Sequence, residues 1–152
     1  SIDEVMLKPL IEQAIEKSDR YFTHYETTVK LEKGLTSRLK ADTVMLGRVL
    51  AIVLENASKY AGEAASVCVS SENVGGNVHI YVDDTGPGIP ADMRERAFKP
   101  FDRLDASKGA ISGMGLGLPL AKSYMKSMHG DLFIDANPSG GTRIVLNLPA
   151  ID

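Results

Sequence analysis

The sequence alternates between segments with helical hydrophobic spacing and pairs of segments with strand-like alternation. In order, the patterns predict a helix, two strands, a long helix, two strands, a short helix with a loop, a helix, and two final strands. Because pairs of strands are separated by helices, we expect a mixed, mostly antiparallel sheet covered by helices on one face. This is an α+β fold of two layers, and all 152 residues fit one domain, 1–152.

The same patterns set approximate bounds for each element. Asp42 is a predicted helix N-cap and Gly62 a predicted helix stop, so the longest helix runs between them to about Tyr60. Residues 98–115 lack stable periodicity and carry three glycines, which is typical of a long, mobile, functional loop. The other predicted helices cover 8–20, 90–97 and 116–128, and the predicted strands cover 28–32, 37–41, 67–69, 78–82, 132–136 and 142–148.

Bulk composition argues against several classes of protein. The net charge of −3 argues against a general nucleic-acid binder. The longest apolar run, 49–54, is too short to cross a bilayer. The single cysteine, Cys68, allows no intrachain disulfide, fits a reducing cytoplasmic compartment and alternates as a packed or surface thiol would. The chain opens on Ser1 without a methionine, which predicts a piece of a longer protein.

A first cluster of chemically suited residues lies near the end of the long helix. Asn56, Lys59 and Tyr60 are spaced by three and four residues and share one helical face. An amide oxygen can ligate Mg²⁺, an ammonium can contact phosphate, and a tyrosine ring can cover a purine. Taken alone, these residues fit an ordinary solvated helix end better than a binding site.

A second cluster, Asp84-Thr85-Gly86-Pro87-Gly88, follows directly after an apolar strand. A carboxylate at a strand end can accept a hydrogen bond from an exocyclic amine such as that of adenine. The glycines let the backbone approach a flat ligand closely. A plain tight turn explains the same residues, whereas a calcium loop does not, because Asp83 and Asp84 are adjacent.

Two more clusters flank the predicted loop. Residues 113–118, Gly-Met-Gly-Leu-Gly-Leu, open a helix, where free N–H groups behind glycines form an anion site or a simple hinge. Their spacing matches neither a P-loop nor a dinucleotide fingerprint. At the other end, Phe98 and Phe101 would anchor the loop to the core. The basic residues of this stretch would be either phosphate contacts or solvated charges: Lys99, Arg103 and Lys108.

In this order, the clusters resemble the catalytic domain of sensor histidine kinases, over nearly the whole chain. The resemblance implies the Bergerat fold of the GHKL superfamily, in which ATP lies between the helical layer and a mobile lid. The matching motifs are the N box Asn56…Lys59-Tyr60, the first glycine box 84–88, the F box Phe98-x-x-Phe101-x-Arg103, the second glycine box 113–118, and the final turn Gly140-Gly141-Thr142.

The resemblance also implies a role for each residue. Asn56, Lys59 and Arg103 would be the catalytic set: Asn56 would ligate Mg²⁺, Lys59 would contact phosphate, and Arg103 would approach the γ-phosphate. Asp84 would bond the adenine amine, supported by Thr142 through water, and Tyr60 would pack on the base. The other expected nucleotide contacts are Gly86, Gly88, Ile89, Lys99, Gly113, Gly115, Leu116, Gly117 and Leu118.

One position departs from the family pattern. Many of these kinases carry a second asparagine one turn before the first, and related hydrolases carry a catalytic glutamate there, but this chain has Ile52. Isoleucine cannot act as a general base, which points away from efficient ATP hydrolysis. The missing amide would weaken Mg²⁺ coordination or shift it toward Asn56 and water. Glu55 points about 100° around the helix from Asn56, so its role stays open.

None of the three histidines fits a phosphate acceptor. His24 lies in a segment that reads as a linker, His79 on the polar side of a strand, and His129 just before the helix-ending Gly130. The family's acceptor motif, a histidine followed by a carboxylate and Leu-Arg, is absent from the sequence. We therefore expect this domain to bind ATP without phosphorylating itself, with the acceptor on a dimeric helical hairpin before Ser1.

The resemblance implies ATP or ADP, the histidine-containing dimerisation domain of the same protein and a response-regulator receiver domain as partners. It implies no nucleic acid and no direct membrane contact. The domain would be monomeric and cytoplasmic, within a homodimeric parent for which an inner-membrane anchor stays open.

Two other functions also stay open. An anti-sigma-type serine kinase usually carries a carboxylate where Ile52 stands. The other is a degenerate module, which binds nucleotide or a partner and signals by conformation. Ile52 favours this alternative.

Overall fold

The computed structural model describes residues 1–32, 35, 38–62, 64–99 and 117–151. Two short 3-10 helices, Ala91–Met93 and Glu95–Phe98, lie in these ranges. The described α-helices are α1 (Leu7–Lys17), α2 (Asp19–His24), α3 (Thr43–Ala61) and α4 (Gly117–Ser127). The described strands are β1 (Asp3–Met6), β2 (Thr28–Leu31), β3 (Arg38–Ala41), β4 (Ser66–Val74), β5 (Asn77–Asp84), β6 (Asp131–Ala136) and β7 (Thr142–Pro149).

The strands form two sheets. The larger has the order β2-β4-β5-β7-β6, and its neighbouring strands are antiparallel except for β2 and β4. Strands β1 and β3 pair antiparallel as a separate two-stranded sheet. The predicted α+β architecture, with a mixed and mostly antiparallel sheet packed against helices, is confirmed.

Alternation along β5 distinguishes the two faces of the larger sheet. Val78, Ile80, Val82 and Asp84 are buried, while the residues between them are only half-buried. The three hydrophobic members belong to the same core cluster as the buried side chains of α3 and α4. The alternation therefore places Asp84 at the end of the strand on the helix-facing side, and the intervening residues on the outer face.

Both ends of α3 follow from local chemistry. Asp42 Oδ1 accepts a hydrogen bond from the backbone N–H of Met45 at 3.0 Å, which satisfies one of the free donors of the first turn. At the other end, Gly62 has a φ of +93°, which favours glycine. The predicted cap and stop of this helix are therefore confirmed.

Replacing Asp42 with alanine should lower the free energy of unfolding by about 1 kcal/mol, because the Met45 donor loses its partner. The matched control is Asp42→Asn, which keeps an acceptor oxygen and should lose less than half as much. Urea denaturation followed by circular dichroism measures both. Equal losses for the two variants would show that the charge of Asp42, not its capping bond, stabilises the helix.

The N-terminal region differs from the prediction. The single helix expected over 8–20 ends at Lys17, and the segment predicted as a linker around His24 is the second helix, α2. Ser18 separates them with φ −95° and ψ 5°, and its N–H donates to both Ala14 and Ile15. Phe22 is buried in the core, so tertiary packing explains why this segment is helical.

The first two predicted strands are present but do not pair with each other. β3 pairs with β1, a strand that the sequence patterns did not indicate. β2 instead lies parallel to β4, with Thr28 opposite Ser66. Both partners are distant in sequence, so local patterns do not indicate these pairings.

Smaller differences concern turns and helix type. Residues 75–76 form the turn between β4 and β5, because the two strands continue to Val74 and from Asn77. The helix predicted over 90–97 is instead the pair of 3-10 helices, and Pro90 is the N-cap of the first. Most of the predicted loop, and the predicted helix start at Leu116, lie outside the described residues. No α-helix within the described ranges is long and apolar enough to span a bilayer.

Candidate functional site

Asn56 lies in the last turns of α3, directly beside the start of α4. Its Nδ2 donates to the carbonyl oxygen of Ile52 at 2.9 Å, which orients the amide and leaves Oδ1 for another partner. A Cβ added to Gly117 would lie 3.4 Å from Asn56 Nδ2 and 3.3 Å from Ile52 Cγ2. The structure thus brings together Asn56 and Gly117, two of the predicted site residues from separate motifs.

Lys59 and Glu55 form an ion pair one helical turn apart. Lys59 Nζ lies 2.9 Å from Glu55 Oε1, and only 10% of the lysine side chain is exposed. A glutamate four residues before a lysine is the favourable orientation of such a pair. Glu55, whose role was open, is therefore the partner of the Lys59 ammonium, and Tyr60 follows it half-buried.

Asp84 is 4% exposed and is held by backbone groups. Its Oδ1 accepts hydrogen bonds from the N–H of Gly86 at 2.9 Å and the N–H of Thr142 at 3.2 Å, and neither contact uses Oδ2. Asn137 Nδ2 donates to the carbonyl oxygen of Asp84 at 3.0 Å. Thr142 therefore supports Asp84 through its backbone N–H, where the resemblance implied a contact through water.

The surroundings of Asp84 also change its acid strength. Burial raises the pKa of Asp84 above the ordinary value of 3.8, and the charge of Asp83 acts in the same direction. The N–H groups of Gly86 and Thr142 act against this shift because they favour the ionised form. A buried carboxylate with a raised pKa is a candidate functional group.

Glycines allow three distant segments to meet around Asp84. A Cβ on Gly86 would lie 2.5 Å from Cα of Ala61, so the turn after β5 packs on the last residue of α3. Gly141 has a φ of +105°, and a Cβ there would overlap the carbonyl oxygen of Asp84. Gly88, with a φ of +81°, lies against Gly141. At Gly86 the close backbone approach is to α3, and the predicted approach of these glycines to a flat ligand stays a prediction.

The segment after the glycine turn is tied back to the core. Ile89 packs against the core cluster, and its carbonyl oxygen accepts a hydrogen bond from Arg94 Nε at 3.1 Å. Arg94 is therefore half-buried. Phe98 also packs on the core, which confirms its predicted anchoring role, and Lys122 Nζ lies 4.4 Å from its ring centroid. Lys99 is exposed.

The structure describes part of the second glycine box. At the start of α4, Gly117 is half-buried and Leu118 is buried. The remainder of the predicted lid and second glycine box lies outside the described residues, so these roles stay predictions: Phe101, Arg103, Lys108, Gly113, Gly115 and Leu116.

The histidines and the cysteine lie apart from this site. His79 is on the outer face of β5, so the sheet separates it from Asp84. His24 ends α2 and His129 follows α4 with a φ of +64°, and both are exposed. Cys68 is half-buried, and burial raises the pKa of its thiol, as expected for an ordinary thiol rather than a nucleophile.

Sequence reasoning missed two residues that shape the site. Asn137 supports Asp84 across 53 positions of sequence, and only its place before Pro138 in a turn was visible locally. The spacing of Glu55 and Lys59 did indicate a helical ion pair, but the prediction considered Lys59 only as a phosphate contact.

Comparison with known proteins agrees with this geometry. A family model described as histidine kinase-, DNA gyrase B-, and HSP90-like ATPase matches residues 41–152. The sensor protein KdpD of Rathayibacter rathayi is 41% identical over 109 residues, which are 72% of this chain and 12% of that protein. The chain thus spans a small part of this relative's length.

Solved structures show the same fold. The mycobacterial sensor histidine kinase MprB matches with a TM-score of 0.81 and 28% identity, over 99% of this chain and 98% of that one. Full-length ShkA in complex with AMPPNP matches with a TM-score of 0.83 and 25% identity, over 99% of this chain and 31% of that one. The fold is thus that of histidine kinase ATP-binding domains, and the chain belongs to the family of histidine kinase-, DNA gyrase B- and HSP90-like ATPases.

Proposed function

We propose that residues 1–152 form a single catalytic domain that binds Mg-ATP and donates its γ-phosphate to a histidine on a separate dimerisation domain. The proposal rests chiefly on Asp84, a buried carboxylate at the end of β5 that two backbone N–H groups hold in place. Family membership supports ATP as the ligand, and the AMPPNP complex of ShkA supports a nucleotide in this fold. The reaction belongs to two-component signalling.

The base site would lie between the end of α3 and the turn after β5. Asp84 Oδ1 is occupied by two N–H groups, so Oδ2 would accept the exocyclic amine of adenine. Gly86 and Gly88 would shape this pocket by letting their turn pack closely on Ala61 and Gly141, Ile89 would add an apolar wall, and Tyr60 would pack on the base. The adenine amine is a donor, so Oδ2 would be the acceptor, and the ionised carboxylate is the stronger acceptor.

The metal site would use Asn56. Its amide is oriented by the bond to the Ile52 carbonyl, and Gly117 leaves the space beside it free of a side chain. Mg²⁺ commonly takes one or two protein oxygens and completes its shell with water and substrate phosphates, so one amide oxygen fits this ion. When bound, the ion would neutralise charge on the phosphates.

Lys59 would contact a phosphate while Glu55 holds its ammonium in place. The ammonium is largely shielded from water, so its attraction for an anion is less screened than at an open surface. Arg103 and the N–H groups of Gly115 and Gly117 would hold the remaining phosphate oxygens.

Lys59→Met should weaken ATP binding by about tenfold or more, since it removes a charge-assisted contact and leaves Glu55 beside the phosphates without its partner. The double variant Glu55→Gln/Lys59→Met separates these two effects. If Lys59 contacts phosphate, the double variant still binds ATP weakly but binds adenosine normally. Calorimetric titrations with ATP and adenosine distinguish the cases. Normal ATP affinity in the double variant would mean that Lys59 only compensates the charge of Glu55.

Phosphoryl transfer requires a histidine from outside the described site. A ring nitrogen would attack the γ-phosphorus, and the bond to the β–γ bridging oxygen would break to release ADP. The direct test mixes the chain and γ-labelled Mg-ATP with the histidine-bearing dimerisation hairpin of its parent protein. We expect acid-labile label on the hairpin and none on the chain alone. Stable phosphohistidine on the chain alone would contradict the proposal.

The remaining partners, the oligomeric state and the cellular location follow from the same proposal. A response-regulator receiver domain would take the phosphoryl group from the histidine, the domain would be monomeric and cytoplasmic, and its parent would be a homodimer. Size-exclusion chromatography of the isolated chain tests the monomeric state.

Ile52 favours one alternative, a degenerate module that binds nucleotide and signals by conformation. Its side chain lies beside Gly117, where many relatives of this family place a second amide. Titration with an ATP analogue in the presence and absence of Mg²⁺ separates the two functions. A kinase should bind much more tightly with Mg²⁺, whereas the degenerate module should bind equally in both conditions.

A further inference from the structure

Asp83 and Arg143 form an ion pair on the outer face of the larger sheet. Arg143 Nε lies 2.7 Å from Asp83 Oδ1, and Arg143 Nη2 lies 2.9 Å from Oδ2. Only 23% of the arginine side chain and 13% of the aspartate side chain are exposed. A bidentate and partly buried pair of this kind is stronger and better defined than an exposed one.

The pair closes the ladder between β5 and β7. Asp83 and Arg143 lie opposite each other as the last pair in register at this end. The next residue on each strand belongs to the base site: Asp84 supplies the carboxylate, and Thr142 supplies the N–H that contacts it at 3.2 Å. Because this contact joins two strands, its geometry depends on how firmly the strands are held at their last pair.

Arg143 is also held by an aromatic ring on β5. Its guanidinium carbon lies 4.0 Å from the ring centroid of Tyr81, which is close enough for a cation–π interaction. The fork of an arginine can pair with a carboxylate and stack on a ring at once, which a lysine cannot do as well. Arg143 therefore links β7 to β5 through two different side chains.

We infer that Asp83 and Arg143 are positioning residues, whose ion pair holds the Thr142 N–H against Asp84 and so sets how strongly the adenine amine is recognised. The pair lies on the opposite sheet face from the Asp84 carboxylate, so it acts through the backbone and not by touching the nucleotide. This inference rests on the proposed function, in which Asp84 recognises the base.

The test compares ATP with purine riboside 5′-triphosphate, which lacks the exocyclic amine, in binding titrations to the chain. Arg143→Gln should weaken ATP binding about 3- to 10-fold, with less than about twofold change for the analogue. The loss should be confined to ATP because only ATP offers the amine that Asp84 accepts. The double variant Asp84→Asn/Arg143→Gln should bind ATP no more weakly than Asp84→Asn.

A control removes an exposed ion pair elsewhere. Arg38 Nη1 lies 2.9 Å from Glu4 in the two-stranded sheet, so Arg38→Gln should change neither affinity. The exchange Asp83→Arg/Arg143→Asp keeps an opposite-charge pair at the same position and should restore part of the preference for ATP. Arg143→Lys keeps the charge but loses the fork, and it replaces Arg143→Gln if that variant does not fold.

The outcomes separate the inference from the proposal on which it rests. The positioning role is overturned if Arg143→Gln weakens the binding of ATP and of the analogue equally, or weakens neither, in an experiment where Asp84→Asn still weakens ATP binding. If Asp84→Asn leaves ATP binding unchanged, base recognition by Asp84 fails, and the positioning role fails with it.

Discussion

Replacing Gly141 with alanine should lower the free energy of unfolding by more than about 4 kcal/mol, which is exceptional for one substitution. Gly141 has a φ of +105°, and its new Cβ would overlap the carbonyl oxygen of Asp84 and lie 3.1 Å from Oδ1. A backbone carbonyl cannot rotate away, so β5 and β7 must separate at the base site. Domains of this size have about 5–15 kcal/mol in total, so little stability would remain. Urea denaturation measures the loss.

Gly140→Ala is the control for this prediction. Gly140 has a similar φ of +99°, but a Cβ there would meet nothing within 4 Å. Its cost should be that of backbone strain alone, about 1–3 kcal/mol. Equal losses in the two variants would show that strain, and not the contact with Asp84, makes Gly141 necessary.

Asp84→Asn should weaken ATP binding by about 10- to 100-fold, because the amide replaces a charged acceptor for the adenine amine. The same change should raise the free energy of unfolding at neutral pH in the absence of ligand. Burial penalises the ionised carboxylate, as its raised pKa shows, whereas asparagine is neutral and can still accept from Gly86 and Thr142. Calorimetric titration with ATP and thermal unfolding measure the two effects on one protein.

The stability effect of Asp84→Asn should depend on pH. Because the folded-state pKa of Asp84 is raised above 3.8, the fold prefers the protonated carboxyl. The stabilisation that this preference gives the fold is complete below pH 3.8, and it is lost as the pH rises through the folded-state pKa of Asp84. The stability of the variant relative to the wild type should therefore increase across this window and then level off. A difference that stays constant with pH would contradict the assignment of a raised pKa to Asp84.

The sequence was sufficient where local patterns decide the structure. α3 has an N-capping aspartate and a terminal glycine, and β5 alternates without interruption, so their types followed from spacing alone. β1 was missed because it has four residues and its partner, β3, lies more than thirty positions away, at Arg38 opposite Met6. The break at Ser18 was missed because burial of Phe22, not local preference, starts the next helix there.

The same division holds for the candidate site. Asp84, Gly86 and Asn56 were identified because their motifs are short and local. Of the residues that hold Asp84, Thr142 was indicated only by the family resemblance and Asn137 not at all, since both reach Asp84 only after the sheet has formed. The sequence therefore indicated candidate site residues, and the structure was needed to show what positions them.

The two amides that hold Asp84 belong to the backbone, one in the turn after β5 and one at the start of β7. Main-chain donors of this kind do not rotate as side chains do, so the acceptor is oriented before a nucleotide arrives. The entropy cost of fixing the Asp84 carboxylate is incurred during folding and not each time a ligand binds. In the proposed function, selectivity for the base would therefore be a property of the unliganded structure rather than of an adjustment made on binding.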